Sequence, residues 1–182
     1  MKNKTGLLAI LLGLLAILSA LSAFLGIDFY NGQPYSSETQ KVKVQEIIDG
    51  DTIKVEDIDT KEAFTVRYLG IDTPELDGPA YETCFSEQAK KENEELISGK
   101  ELLLEFDTDK YDQFARTLAY VYTVDQLGEK DIFVNLELLK QGYARFYLDK
   151  QNTLYQEELV EATISAQEEY LGLWGECGRR QI

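Results

Sequence analysis

Two short stretches carry residues whose types and spacing suit chemistry. IIDGDTIKV (47–55) sets Asp49 and Asp51 on either side of Gly50, and RYLGIDTPE (67–75) sets Asp72 and Glu75 around Thr73 and Pro74. Pro74 stiffens the backbone between the two acids. Thr73, as the residue before a proline, is pushed toward an extended conformation that turns its carbonyl outward. With Asp51, this block offers carboxylate and carbonyl oxygens to one hard cation. Ca²⁺ accepts irregular oxygen cages at relaxed distances, whereas Mg²⁺ demands a tighter octahedron with more water. The chain contains no histidine. That excludes His-dependent nucleophilic triads, imidazole bases and His-ligated zinc, and leaves oxygen-loving metals as the suitable class. Taken singly, each residue has a plainer reading: Asp51 caps a turn, Asp72-Thr73-Pro74 is an ordinary turn, and Arg67 pairs with a carboxylate.

The elements that must hold these residues are legible as periodicity. Residues 41–48 alternate as a half-buried strand does, Asp49-Gly50 makes a hairpin turn, and 52–58 return as its partner. On this reading Asp49 and Gly50 need no role beyond the turn. A third strand is expected over 63–71, followed by a helix over 86–97 that stops at Ser98-Gly99. Strands over 101–106 and 117–123 follow, then a short helix over 134–141 closed by Gly142. A longer amphipathic helix is expected over 156–174, with Leu159, Val160, Ile164 and Leu171 on its buried face. The order suggests an α+β fold, a five-stranded OB-type barrel packed with about three α-helices.

The chain has 182 residues and a formal charge of −15. A field of that sign repels polyanions and argues against broad, non-specific nucleic-acid binding, but not against a local cationic cleft or a site inverted by a bound metal. Residues 6–27 carry no charge and follow Lys2 and Lys4. At helical rise they span about 33 Å, the length of a membrane anchor with the body outside the cytoplasm. The alternative is a cleaved signal peptide, for which Leu18-Ser19-Ala20 offers small residues. Residues 1–27 thus read as anchor or signal, 28–40 as a polar linker, and 41–182 as the folded domain. Cys84 and Cys177 are the only cysteines. Two thiols exported to an oxidising compartment favour a bridge, with two unpaired thiols as the alternative.

Six blocks in order, IIDGDTIKV, VRYLGIDTPE, CFSEQAK, ARTLAYVY, LLKQGYAR and GLWGEC, resemble the staphylococcal-nuclease-like family, the thermonucleases. The resemblance implies an OB barrel with helices and Ca²⁺-dependent hydrolysis of DNA and RNA phosphodiesters. By resemblance Asp51 and Asp72 are the metal carboxylates, and Thr73 lends its main-chain carbonyl. Glu75 would orient the attacking water, and Arg67 and Arg116 would hold the phosphate. Tyr147 lies near where the family places tyrosines beside the nucleotide, so it is a substrate-binding candidate, with an ordinary core aromatic as the alternative. Where the family reads basic-Tyr-Gly-Arg, this chain has Gln113-Phe114-Ala115-Arg116. The loop after Glu75, LDGPAYET, also lacks the basic residues some members carry. A second function class remains beside the nuclease: a non-catalytic OB-type module that binds nucleic acid or a protein.

Overall fold

A computed structural model describes residues 37–79 and 83–177. Strand β1 (Thr39–Ile47) and strand β2 (Thr52–Asp57) form an antiparallel hairpin, with a register shift between Val44 and Glu46. Strand β3 (Ala63–Tyr68) returns antiparallel to β2, with Thr52 opposite Arg67. On its other edge β1 pairs with β5 (Glu101–Glu105), and β5 with β6 (Thr117–Val124). The parallel pairing of β3 with β6, Arg67 opposite Leu118, closes the ring β3-β2-β1-β5-β6 into a five-stranded barrel. Closure removes the unpaired edges an open sheet would expose. Strand β7 (Lys130–Phe133) adds to the free side of β6.

Alternation along the strands fills the barrel with Val42, Ile53, Val55, Val66, Leu102, Leu104, Ala119 and Val121, all fully buried. Strand β6 is buried on both faces from Thr117 to Thr123, because its outer face lies under helix α2 (Val134–Lys140). There Asn135 accepts from the Val121 N–H at 2.9 Å and donates to the Leu69 carbonyl at 2.8 Å. Beside β6, Glu105 is buried with Tyr155 Oη at 2.8 Å and Lys130 Nζ at 2.5 Å, and the Tyr122 and Phe133 rings stack at 4.6 Å.

Several boundaries depart from the periodicity reading. Strand β1 begins at Thr39 rather than 41, because Thr39 and Gln40 pair with Glu105 and Leu104. Strand β3 ends at Tyr68. Gly70 takes φ 74, and the chain turns into a two-residue strand β4 (Ile71–Asp72) that pairs with β8 (Arg145–Phe146). The expected helix 156–174 is two helices. Helix α3 (Gln156–Glu168) buries Leu159, Ala162, Thr163 and Ala166, while Ile164 and Leu171 stay exposed. The true face follows i, i+3, i+4, i+7 from Leu159, and its alanines bring α3 close. The chain then breaks at Tyr170 (φ 55) and Gly172 (φ 49) before the single turn α4 (Leu173–Glu176). The break lets Leu173 N–H donate to the Gly142 carbonyl at 2.9 Å, a backbone approach so close that a Cβ on Gly142 would lie 2.3 Å from Leu171 O.

Helix α1 (Ser86–Ile97) ends at Ser98, with Gly99 at φ 72 as the stop. Cys84, just before α1, is disulfide-bonded to Cys177, just after α4, with Cα atoms 5.8 Å apart. Among the described residues no helix is long and apolar enough to cross a membrane. The apolar segment 6–27 and residues 28–36 of the expected linker lie outside the described residues.

Candidate active site

The hairpin turn after β1 delivers Asp51 into a fully buried position. Its Oδ2 accepts the Thr73 N–H at 2.7 Å and the Thr73 hydroxyl at 2.9 Å, and its Oδ1 accepts the Thr52 hydroxyl at 3.1 Å. A buried carboxylate needs such partners, since an unpaired charge in the interior is costly. Thr73 therefore engages Asp51 through its N–H and hydroxyl, contacts the sequence did not suggest. Gly50 is buried against the same threonine: a Cβ there would sit 2.8 Å from Thr73 Oγ1 and Cγ2. Asp49 also does more than turn the chain. Its Oδ1 accepts the Asp51 N–H at 3.0 Å, and its carbonyl accepts from the side chain of Asn93 at 3.3 Å.

Arg67 sits at the end of β3 beside this turn. One terminal nitrogen is paired with Asp51, and Nη2 lies 2.6 Å from Asp72 Oδ1 and 3.3 Å from the Ile71 carbonyl. A single planar cation thus bridges the two carboxylates that the resemblance assigns to a metal. Asp72 reaches this place because β4 pairs with β8, with Asp72 opposite Arg145. Glu75 is exposed beyond the buried Pro74. Partial desolvation, with the charges of Asp49 and Asp72, pushes its carboxyl above the usual range against the pull of Arg67 and Arg116.

The parallel closure of β3 on β6 brings Arg116 to the same rim, since Leu118 lies opposite Arg67. Arg116 leaves a tight loop in which Asp112 accepts the N–H groups of Phe114 and Arg116 at 2.8 and 2.9 Å. Asp112 Oδ2 also takes Arg116 Nε at 2.6 Å, and the guanidinium lies 5.4 Å from the centre of the Phe114 ring. Ala115, where the family pattern carries glycine, holds a left-handed φ of 60. The rim opens on a cavity of about 290 Å³ whose walls include Arg67, Asp72, Phe114, Arg116 and Tyr147. Tyr147 and Phe114 are exposed by 57% and 70%, so Tyr147 is no core aromatic, and both rings are available to a planar ligand. A larger depression of about 630 Å³ near the start of α3 is lined by Glu157, Glu158 and Glu161, with no basic group among the described residues, which unsuits that wall to an anion.

A family model described as staphylococcal nuclease homologue matches residues 65–176. The chain belongs to that family. It is 39% identical to endonuclease YncB of Bacillus subtilis over 155 residues, covering 81% of this chain and 69% of that relative. It is 39% identical to the SPbeta prophage-derived endonuclease YokF of the same organism, covering 78% of this chain and 46% of the relative, so it spans less than half of YokF. It is 35% identical to a thermonuclease of Staphylococcus hyicus, covering 76% and 78%. Family membership makes the protein a nuclease. Arg67 and Arg116 share the 290 Å³ cavity with Asp72, and the charges of both arginines act on the Glu75 carboxyl.

Sequence reading missed Asp112 and Asn93. Asp112 left a signal, an Asp opening a loop where its side chain bonds the backbone two and four residues on. Asn93 left none, since nothing in SEQAKKENEELI marks it as facing inward.

Proposed function

We propose that the protein is a Ca²⁺-dependent nuclease that hydrolyses phosphodiester bonds of DNA and RNA outside the cytoplasm. The observation that carries this reading is the convergence of two guanidinium groups, Arg67 and Arg116, on one cavity, with Glu75 near enough for both charges to act on its carboxyl. Water attacking phosphorus forms a new P–O bond, breaks the bond to the leaving oxygen, and builds negative charge on the non-bridging oxygens. Arg116 is held through Nε by Asp112, which leaves its two terminal nitrogens to grip those oxygens as a fork. Glu75, with its raised proton affinity, takes the proton from the water, and the leaving oxygen is protonated from solvent. Phe114 and Tyr147 flank the base of the bound nucleotide.

Among the described residues no three acidic side chains converge to hold a metal by themselves. The donor set nonetheless suits a hard cation: Asp51 and Asp72 are already bridged by one cationic group, Arg67. Asp51, Asp72 and the Thr73 carbonyl would hold Ca²⁺, with water completing the shell. When bound, the ion supplies positive charge beside the phosphate oxygens. Arg67 would then be released from the carboxylates toward the phosphate. The Cys84–Cys177 bridge supports an oxidising compartment.

The test is a cleavage panel of single-stranded DNA, duplex DNA and RNA against Ca²⁺, Mg²⁺, Mn²⁺ and chelator, with Glu75→Gln alongside. Cleavage with Ca²⁺ and none with chelator is expected, and Glu75→Gln should lower kcat by about 10²- to 10⁴-fold. Absence of cleavage with every metal would leave the non-catalytic OB-type binding module as the reading.

A further inference from the structure

A buried hydrogen-bond chain runs from helix α1 to the turn that carries Asp51. Asn93, on the inner face of α1, is completely buried. Its Oδ1 accepts the hydroxyl of Tyr68 at 3.0 Å, and its Nδ2 donates to the carbonyl of Asp49 at 3.3 Å. Tyr68 follows Arg67 directly in β3, is 1% exposed, and its own N–H donates to the Asp51 carbonyl at 2.9 Å. The turn is therefore gripped at two carbonyls, Asp49 by the Asn93 side chain and Asp51 by the Tyr68 main chain. Asn93 joins both grips into one loop of bonds closed through the Tyr68 ring. Two polar side chains in an apolar core are costly unless each bond is made. An apolar pair of the same shape would stabilise the barrel about as well. What the polar pair adds is direction: it fixes the height of the Asp49–Asp51 turn against α1, and with it the place of the Asp51 carboxylate between Thr73 and Arg67.

The geometry points to Asn93 and Tyr68 as positioning residues that hold the Asp51 carboxylate, and the Arg67 beside it, in register for the ion and the phosphate. The inference rests on the proposed nuclease and its proposed ion site, and the ion-binding half is read separately from catalysis. Supporting groups one shell away from a metal ligand are worth about ten- to hundred-fold in affinity or activity.

The test is the double variant Tyr68→Phe/Asn93→Leu, which removes both partners and leaves no buried side-chain orphan. It is compared with the wild-type chain in Tb³⁺ luminescence titrations without nucleic acid, in urea unfolding, and in kcat and KM on single-stranded DNA. The expected result is a Tb³⁺ half-saturation point raised about ten- to hundred-fold, with a matching fall in kcat, while KM and the urea midpoint stay near wild type. A wild-type Tb³⁺ half-saturation point in the folded variant overturns the proposal. If the wild-type chain cleaves nothing yet the variant weakens Tb³⁺ binding, the positioning role stands and the nuclease reading falls. Should the double variant fail to fold, Tyr68→Phe alone, which removes only one hydroxyl from the core, is read by the same titration and the same criterion.

Discussion

Asp112 holds Arg116 at two points at once, its Oδ1 on the Arg116 N–H at 2.9 Å and its Oδ2 on Nε at 2.6 Å. The carboxylate spans backbone and side chain of the same residue and so fixes where the guanidinium points. Lysine at 116 would keep the charge but lose both the Nε anchor and the two-pronged face. Arg116→Lys is expected to lower kcat by about 10²- to 10³-fold, the loss typical of one strong transition-state contact. Asp112→Ala should cost about tenfold, because the guanidinium remains but is no longer aimed. Steady-state kinetics of both variants check the ordering, and equal activity of Asp112→Ala and wild type would refute the aiming role.

Gly50 is the residue whose absent side chain lets the turn reach Thr73. A Cβ there would lie 2.8 Å from Thr73 Cγ2 and Oγ1, and Thr73 supplies both hydrogen bonds to Asp51 Oδ2. Gly50→Ala is expected to destabilise the domain by about 1–3 kcal/mol through this overpacking, and to weaken activity with it. Adding Thr73→Ser removes the Cγ2 clash while keeping the hydroxyl and should recover part of the urea midpoint. No recovery would place the strain elsewhere.

The bridge between Cys84 and Cys177 closes a sequence separation of 93 residues. By chain entropy alone such a cross-link is worth about 4.7 kcal/mol. Cys84→Ser/Cys177→Ser should lower the unfolding free energy by roughly that amount. Comparing urea curves of the oxidised, reduced and doubly substituted chains measures it, and identical midpoints for all three would remove the bridge from the stability account.

Acid should unfold the protein through three carboxyls. The backbone N–H of Thr60 and the side chain of Gln40, working against burial, hold Asp57 down to about 2 from a usual 3.8. Burial by itself would raise Glu105, but hydrogen bonds from Lys130, Ser37 and Tyr155 bring it below its usual 4.5. Burial is likewise outweighed at Asp112 by the hydrogen bonds of Arg116 and Phe114. Groups with lowered values in the fold bind protons more readily when unfolded. Their stabilisation is complete above the usual values and is lost as pH falls through the lowered ones. The contribution of these three groups to the urea midpoint should hold level from pH 7 to about 5 and decline between about 4.5 and 2, opposed by Glu75, whose raised carboxyl binds its proton more readily in the fold. Glu105→Gln should flatten the decline. A level midpoint down to pH 3 would contradict this.

What the residues alone determined is what local periodicity and spacing encode. The Asp-Gly hairpin, the strand alternation from Val42 to Val66, the Gly99 stop and the block Arg67 to Glu75 are all short-range patterns, and each is readable because its physical cause lies within a few residues. The closure of β3 on β6 is different. It sets Arg67 opposite Leu118, far away in sequence, and nothing in either strand names the other. The break after α3 was hidden for the same reason, since it answers to the backbone of Gly142 rather than to the helix's own residues. Only the tertiary structure could show that Arg67 bridges Asp51 and Asp72, that Asp112 aims Arg116, and that Asn93 reaches the Asp49 carbonyl. Side chains declare their type in sequence, but whether a carboxylate is buried, paired or aimed depends on neighbours that only closure of the barrel brings within hydrogen-bonding distance.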